Sequence, residues 1–162
     1  MKKLFTLGLI SLLSLSCSKD DESSTTGTYI LTSITTDDAL DFNNDGNSSK
    51  NYISESGCSS DSKIILSDNG SLIYQIQVGD VVLNNPGETT SFYTPNCFEP
   101  SAYYGVWTEA GPNLIFTIEN SSEQFIKNGN SIIFYDFISY SKNVNGMPQS
   151  TSTGATFVFT KI

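Results

Sequence analysis

The chain has 162 residues, 8 basic against 17 acidic, for a net charge of −9, and that length suits one domain. All eight basic residues are lysine and there is no histidine, which excludes a basic nucleic-acid footprint, His-dependent nucleophilic triads and His-ligated zinc. With 10 Phe and 8 Tyr, the chain has the aromatic bulk to bury a core, which argues against disorder.

Met1, Lys2 and Lys3 form a positive start, and residues 4–15 form an apolar run broken only by Thr6, Gly8, Ser11 and Ser14. Ser16 is a small residue directly before Cys17. The run is too short for a membrane-spanning helix and reads as a secretory signal over residues 1–16. A cysteine placed just after such a run resembles a bacterial lipobox. There the Cys17 thiol would receive diacylglycerol, the signal would be cut before it, and the new amine would be acylated. The lipobox usually has a small residue where this chain has Leu15, and Leu13 stands one place early. An ordinary cleaved signal is the other reading.

Ser18, Lys19, Asp20, Asp21 and Glu22 place one lysine and three acids against the anchor, and residues 23–26 continue as a polar linker. The Lys19–Asp20–Asp21–Glu22 cluster resembles the export signal that sends surface lipoproteins of Bacteroidetes to the outer leaflet. Removing 16 residues and two lysines would leave 146 residues at a net charge of −11, 6 lysines against 17 acids. So acidic a body does not adhere to anionic lipid, which leaves the acyl chains as the link to the outer membrane.

From residue 27 onward the pattern is β. Residues 27–36 are rich in Thr, Ile, Leu and Tyr and read as a first strand. Asp41, Asn43 and Asp45 then have the alternating oxygens of a calcium loop, with Gly46 for the bend. The twelfth place, where an EF-hand has a bidentate glutamate, holds Tyr52; Glu55 lies three residues further. A plain Asx turn is the competing reading. Residues 50–56 allow one helical turn. With Cys17 committed to lipid, Cys58 and Cys97 are expected to pair in an oxidising compartment, closing a 40-residue segment; free thiols are the alternative. A catalytic thiol would have no histidine to deprotonate it.

Residues 63–67 form a second strand, and Asp68-Asn69-Gly70 a hairpin turn. Residues 71–78 alternate, with Leu72, Tyr74, Ile76 and Val78 on one face. Further strands are expected over 104–109, 113–119, 123–127, 131–140 and 154–162, with turns at Ala110-Gly111-Pro112 and Asn128-Gly129-Asn130. Eight strands with local connections predict an all-β, antiparallel up-and-down meander closed as a small barrel over residues 27–162; a two-sheet sandwich is the alternative.

Several short segments carry a family likeness. Gly27-Thr28-Tyr29-Ile30-Leu31-Thr32-Ser33, then Asp41-Phe42-Asn43-Asn44-Asp45-Gly46, Glu55 and Cys58, then Ile64-Ile65-Leu66 before Asp68-Asn69-Gly70, resemble the lipocalin-like domain of flavobacterial lipoproteins. Gly105-Val106-Trp107 with Asn113-Leu114-Ile115-Phe116 is similar to that family's middle hairpin. The resemblance implies a lipocalin-like barrel. Lipocalins proper cover a first-strand Trp with an Arg from the chain end; here Tyr29 holds that place, which leaves Lys161 as the cation expected over its ring.

The expected function is a non-enzymatic binding module on an outer-membrane lipoprotein, its ligand small and either apolar or stacked on aromatic faces. Tyr74, Trp107, Phe157 and Phe159 are the candidate ligand residues. Tyr103, Tyr104 and Trp107 could line a surface for a sugar or another flat ligand, with wall and core as the alternative reading. Leu72, Tyr74, Ile76, Trp107, Phe116, Phe134, Phe157 and Phe159 are the inward set, enough bulk to leave a shallow mouth in place of a deep cavity. The alternative function is a structural or accessory subunit of an envelope or uptake assembly with a packed barrel. No general base near neutral pH is present, so no enzyme, nucleic-acid partner or cofactor is expected beyond the calcium loop. Carboxylate pairs such as Asp37 with Asp38 or Glu119 with Glu123 read as solvated faces.

Overall fold

The computed structural model describes residues 24–59, 61–77, 79–86, 88 and 91–162. The readings on the signal, on Cys17 and on Lys19, Asp20, Asp21 and Glu22 lie outside the described residues, as does Val78, read on one face with Leu72, Tyr74 and Ile76. The strands in chain order are β1 (Gly27–Leu40), β2 (Ser49–Asn51), β3 (Lys63–Leu66), β4 (Ser71–Ile76), β5 (Gly79–Asn84), β6 (Phe92–Cys97), β7 (Ser101–Ala110), β8 (Asn113–Ile118), β9 (Ser121–Asn128), β10 (Ser131–Val144) and β11 (Met147–Lys161). One helical turn, α1 (Tyr52–Ser56), follows β2; the Asn51 side chain accepts from the Ser54 amide at its start.

Eight strands form a closed antiparallel barrel in the order β1, β3, β4, β7, β8, β9, β10, β11, and β11 returns to pair with β1. Closure satisfies the edges that an open sheet of this size would expose. The sandwich alternative is therefore set aside. These eight are the expected strands, with β10 and β11 running further than expected, to 14 and 15 residues. They meet at Asn145-Gly146, both at positive φ (54° and 84°), as a tight two-residue hairpin requires. Three strands were not expected. Short β2 pairs with β1, and β5–β6 form a hairpin that joins β10 through the single parallel pair Tyr140–Val81. Pro95 in β6 has no amide hydrogen to donate, as is common on an edge strand.

Strand alternation fills the interior. Tyr29, Leu31, Ile64, Leu66, Leu72, Leu114, Phe116, Phe125, Ile132 and Phe159 are buried, and the whole expected inward set belongs to this core or packs against it. Phe116 stacks on Phe125 at 4.1 Å, and Phe134 on Phe157 at 4.6 Å. The wall closes tightly at Gly105, where a β-carbon would lie 2.2 Å from the Thr117 carbonyl oxygen. Tyr104 corrects an expectation: it is 69% exposed, and Tyr103 is 45% exposed. Consecutive strand residues face opposite ways, so both cannot enter the core. Tyr103 shares the inward side with Gly105 and Trp107 but lies at the rim.

The two barrel ends differ. One carries the three tight turns after β3, β7 and β9, together with the start of β1 and the end of β11. The other carries the inserted segments, the β8–β9 turn and the long β10–β11 hairpin. At the second end Phe42 packs edge-on against Tyr52, Tyr93 and Tyr140. Asn44 joins the insertions, donating to the Tyr93 carbonyl and accepting from its amide, both at 2.7 Å. Cys58 and Cys97 form a disulfide that ties the α1–β3 connection to the end of β6.

At the first end, residues read as linker are docked. Thr25 is buried, its hydroxyl donates to Glu109 Oε2 at 2.6 Å, and its carbonyl accepts from the Tyr29 hydroxyl at 2.7 Å. Lys127 Nζ reaches both the Thr25 hydroxyl and Glu109 Oε1. Lys161 does not serve as a cover for the Tyr29 ring. Its side chain crosses Gly27 and donates to the Ser24 carbonyl.

The Thr25 hydroxyl, with Lys127, holds the Glu109 carboxyl below the usual carboxylate range. A depressed folded-state pKa stabilises above the unfolded value and is lost as pH falls through the folded one. We expect Glu109→Gln to lower stability at neutral pH, by at most about 1 kcal/mol because the pair is partly exposed. The gap between parent and variant should close as pH falls below the ordinary glutamate pKa. Urea denaturation at both pH values checks this, and a gap that persists in acid would assign the effect to packing.

Candidate functional site: the barrel mouth

The second end leaves a mouth beside the inserted segments. Tyr74 of β4 is its floor, because alternation from buried Leu72 turns the Tyr74 ring inward. There it meets Phe125, Phe134 and Phe159 edge-on, with centroids 6.0, 6.3 and 6.4 Å away. Tyr103, paired with Tyr74 across β4 and β7, lies beside it at 6.3 Å. The cavity between Tyr74, Phe116 and Phe125 is only about 30 Å³, the share of roughly one water. The interior is thus packed. Outside it, an open depression of about 280 Å³ is lined by Tyr74, Tyr103, Ile118, Glu119, Ser121 and Glu123. A second of about 290 Å³ runs between β9 and β10, past Glu123, Phe134 and Asp136. A third of about 200 Å³ lies beyond Asp136, against Ile34, Tyr52, Phe137 and Phe157.

Glu123 faces in because it alternates with buried Phe125 and pairs with buried Phe116. Asp136 pairs with buried Ala155, and one of its oxygens accepts from the Phe137 amide at 2.8 Å. Burial, and then the charges of Glu123 and Asp136, push the Tyr74 hydroxyl well above the ordinary phenol pKa, so it stays protonated. Among the described residues this hydroxyl has no hydrogen-bond partner. The lining of the mouth contains no lysine. It offers apolar rings, a phenol and carboxylates.

The four expected ligand residues do not converge. Tyr74 floors the mouth and Phe157 lines the third depression. Phe159 is fully buried beneath Tyr74. Trp107 belongs to the opposite end, where its indole N–H donates to the Ser67 carbonyl at 3.1 Å. Glu123 and Asp136 are the residues that sequence reasoning missed as site groups, whereas Tyr103 is among those weighed for a binding surface. The signal for Glu123 and Asp136 was available: each shares strand parity with an inward aromatic, Phe125 and Phe134 respectively.

Asp41, Asn43 and Asp45 lie in an exposed loop after β1. Asp41 accepts from the amides of Asp45 and Gly46, Asn43 from that of Asp45, and Asp45 from that of Asn47. These are Asx turns, in which side-chain oxygens point at the loop's own backbone. Glu55 is turned elsewhere and accepts from the Phe42 amide. Among the described residues no group of three or more His, Cys, Asp or Glu is placed to hold a metal ion.

Compared with known proteins, the chain matches no family model, and no curated protein or solved structure matches it closely enough to assign a family.

Proposed function

We propose that the protein is an outer-membrane lipoprotein, anchored through Cys17 and facing the exterior, whose lipocalin-like barrel binds a small ligand at its mouth without catalysis. The observation that carries this reading is the mouth itself, an aromatic floor over a packed interior. The docked N-terminal residues agree with it. Cys17 stands eight residues before Thr25, a reach of at most about 29 Å, and Thr25 is at the barrel end opposite the mouth. An anchor there would turn the mouth away from the lipid. Among the described residues no helix is long and apolar enough to cross a membrane.

The packed interior favours a second reading, a structural or accessory subunit with no ligand, since the barrel has no room for one inside. Native mass spectrometry of protein from its own host separates the two. A small molecule retained one-to-one supports binding, and a bare mass under gentle conditions supports the accessory role. The anchor has its own test. Cys17→Ala is expected to remove the fatty-acid label and release the protein from the membrane fraction; a labelled, membrane-bound variant would overturn it. Digestion of the parent by protease added to whole cells checks surface exposure, which we assign to Lys19, Asp20, Asp21 and Glu22.

A further inference from the structure

We propose that the loop 41–46 guards the free edge of β6: the Asn44 side chain stands in for a neighbouring strand and keeps β6 from pairing with a second copy of this chain. β6 is the last strand of the sheet, and among the described residues no strand pairs with its outer side. Backbone groups of paired strands turn alternately toward and away from the partner. The Tyr93 amide and carbonyl both meet Asn44, so Tyr93 turns them to the free side, and by alternation Pro95 and Cys97 share that side. The hairpin also carries exposed apolar side chains, Val82 and Phe92. A free, apolar strand edge is a template for another chain.

Three features block this edge. The Asn44 carboxamide donates to the Tyr93 carbonyl and accepts from its amide, each at 2.7 Å, the two bonds that a residue of an antiparallel partner would make. Pro95 has no N–H to offer at the next outward position. Cys97, the one after, ends the strand in the disulfide. Asparagine suits position 44 for two separate reasons. Its side chain has both a donor and an acceptor, as a peptide group does. Its backbone lies at φ 59°, a left-handed conformation that Asn tolerates better than most residues. The neighbours hold it there. Asp41, Asn43 and Asp45 accept from the loop's own amides, and Phe42 is buried with its ring 5.3 Å from that of Tyr93. The alternating oxygens that resemble a calcium loop thus fix the turn that presents Asn44 to β6.

The test uses the full chain in detergent and three variants. Asn44→Gly removes the carboxamide and leaves the left-handed backbone unstrained. Asn44→Asp keeps an acceptor for the Tyr93 amide and loses the donor. Asn44→Gly combined with Pro95→Thr also restores an N–H to the edge. Hydrogen exchange of the Tyr93 amide is expected to quicken by about tenfold in Asn44→Gly, the scale of the bonds lost, and to stay near the parent's in Asn44→Asp. The double variant is expected to associate as its concentration rises, read by sedimentation velocity, and the amides of residues 93 and 95 should become more protected as it does. Unchanged Tyr93 exchange in Asn44→Gly would overturn the guard, and this readout holds whether or not the double variant folds. Exchange as fast in Asn44→Asp as in Asn44→Gly would assign the protection to loop packing and overturn it as well. A double variant that keeps the parent's association state at every concentration, or that associates without protecting residues 93 and 95, would overturn the role against a second copy.

Discussion

Phe159→Ala is expected to cost about 3–5 kcal/mol of stability, the usual range for truncating a buried phenylalanine. The residue is fully buried. It lies between Leu31 of β1 and Ile132 of β10 in the paired registers, so its ring sits where the closing strand meets both neighbours. It also packs beneath Tyr74 and beside Phe134. A closed barrel cannot collapse onto the vacated space without breaking strand pairs, so relaxation recovers little of the loss. A domain of ordinary stability has about 5–15 kcal/mol in total, so the variant should fold marginally. Guanidinium denaturation, with the slope compared between variants, checks this. Phe92→Ala on the edge strand, where the ring is 44% exposed, should lose far less. A loss below about 1 kcal/mol at Phe159 would be below the range for a filled interior.

The second large effect is expected from the disulfide. Closing a loop of 40 residues restricts the unfolded chain by about 4 kcal/mol on the chain-entropy estimate. The bond also has a local task. The β5–β6 hairpin has one ladder pair with β10 and meets the β1–β2 loop through Asn44 and through Phe42 against Tyr93, and Cys97 ends its outer strand. Removing the bond should loosen this hairpin before the barrel opens. The double variant Cys58→Ser with Cys97→Ser should therefore melt lower and be cut first within residues 77–100 under limited proteolysis. Intact mass after alkylation should show two further thiols in the parent only after reduction. Equal melting of parent and double variant would show that the barrel registers alone hold the cap.

The cavity beneath Tyr74 separates two ways in which a small barrel can handle a ligand. An interior large enough to enclose one needs several hundred cubic ångströms, and the cavity beneath Tyr74 is about 30 Å³. A ligand of the kind proposed would then be held at the rim. There Glu119, Glu123 and Asp136 are exposed, and affinity would depend on few contacts.

Much of the barrel was legible in the residues, because the signals that specify it are local. Alternation over residues 71–76 turns Leu72 and Tyr74 inward whatever the neighbouring strand does, and Asn-Gly turns set register within a hairpin. The same locality explains the eight barrel strands, the helical turn at Tyr52–Ser56 and the inward aromatics. The Cys58–Cys97 pair was expected from reading Cys17 as lipidated and the compartment as oxidising, and the bond is present. The tertiary structure alone decided the rest. Strands β5 and β6 exist because β10 extends past the barrel and presents Tyr140 to Val81, a pairing across some sixty residues that no local pattern encodes. Tyr103 is exposed although its strand parity is inward, because β7 begins at the rim. Glu123 reads in isolation as one more solvated acid. It becomes part of a mouth only when the register of β8, β9 and β10 brings it to the same barrel end as Asp136 and Tyr74. Strand parity sets which face a side chain takes, whereas its depth along the barrel depends on how eight strands are staggered, and that stagger is a property of the closed sheet.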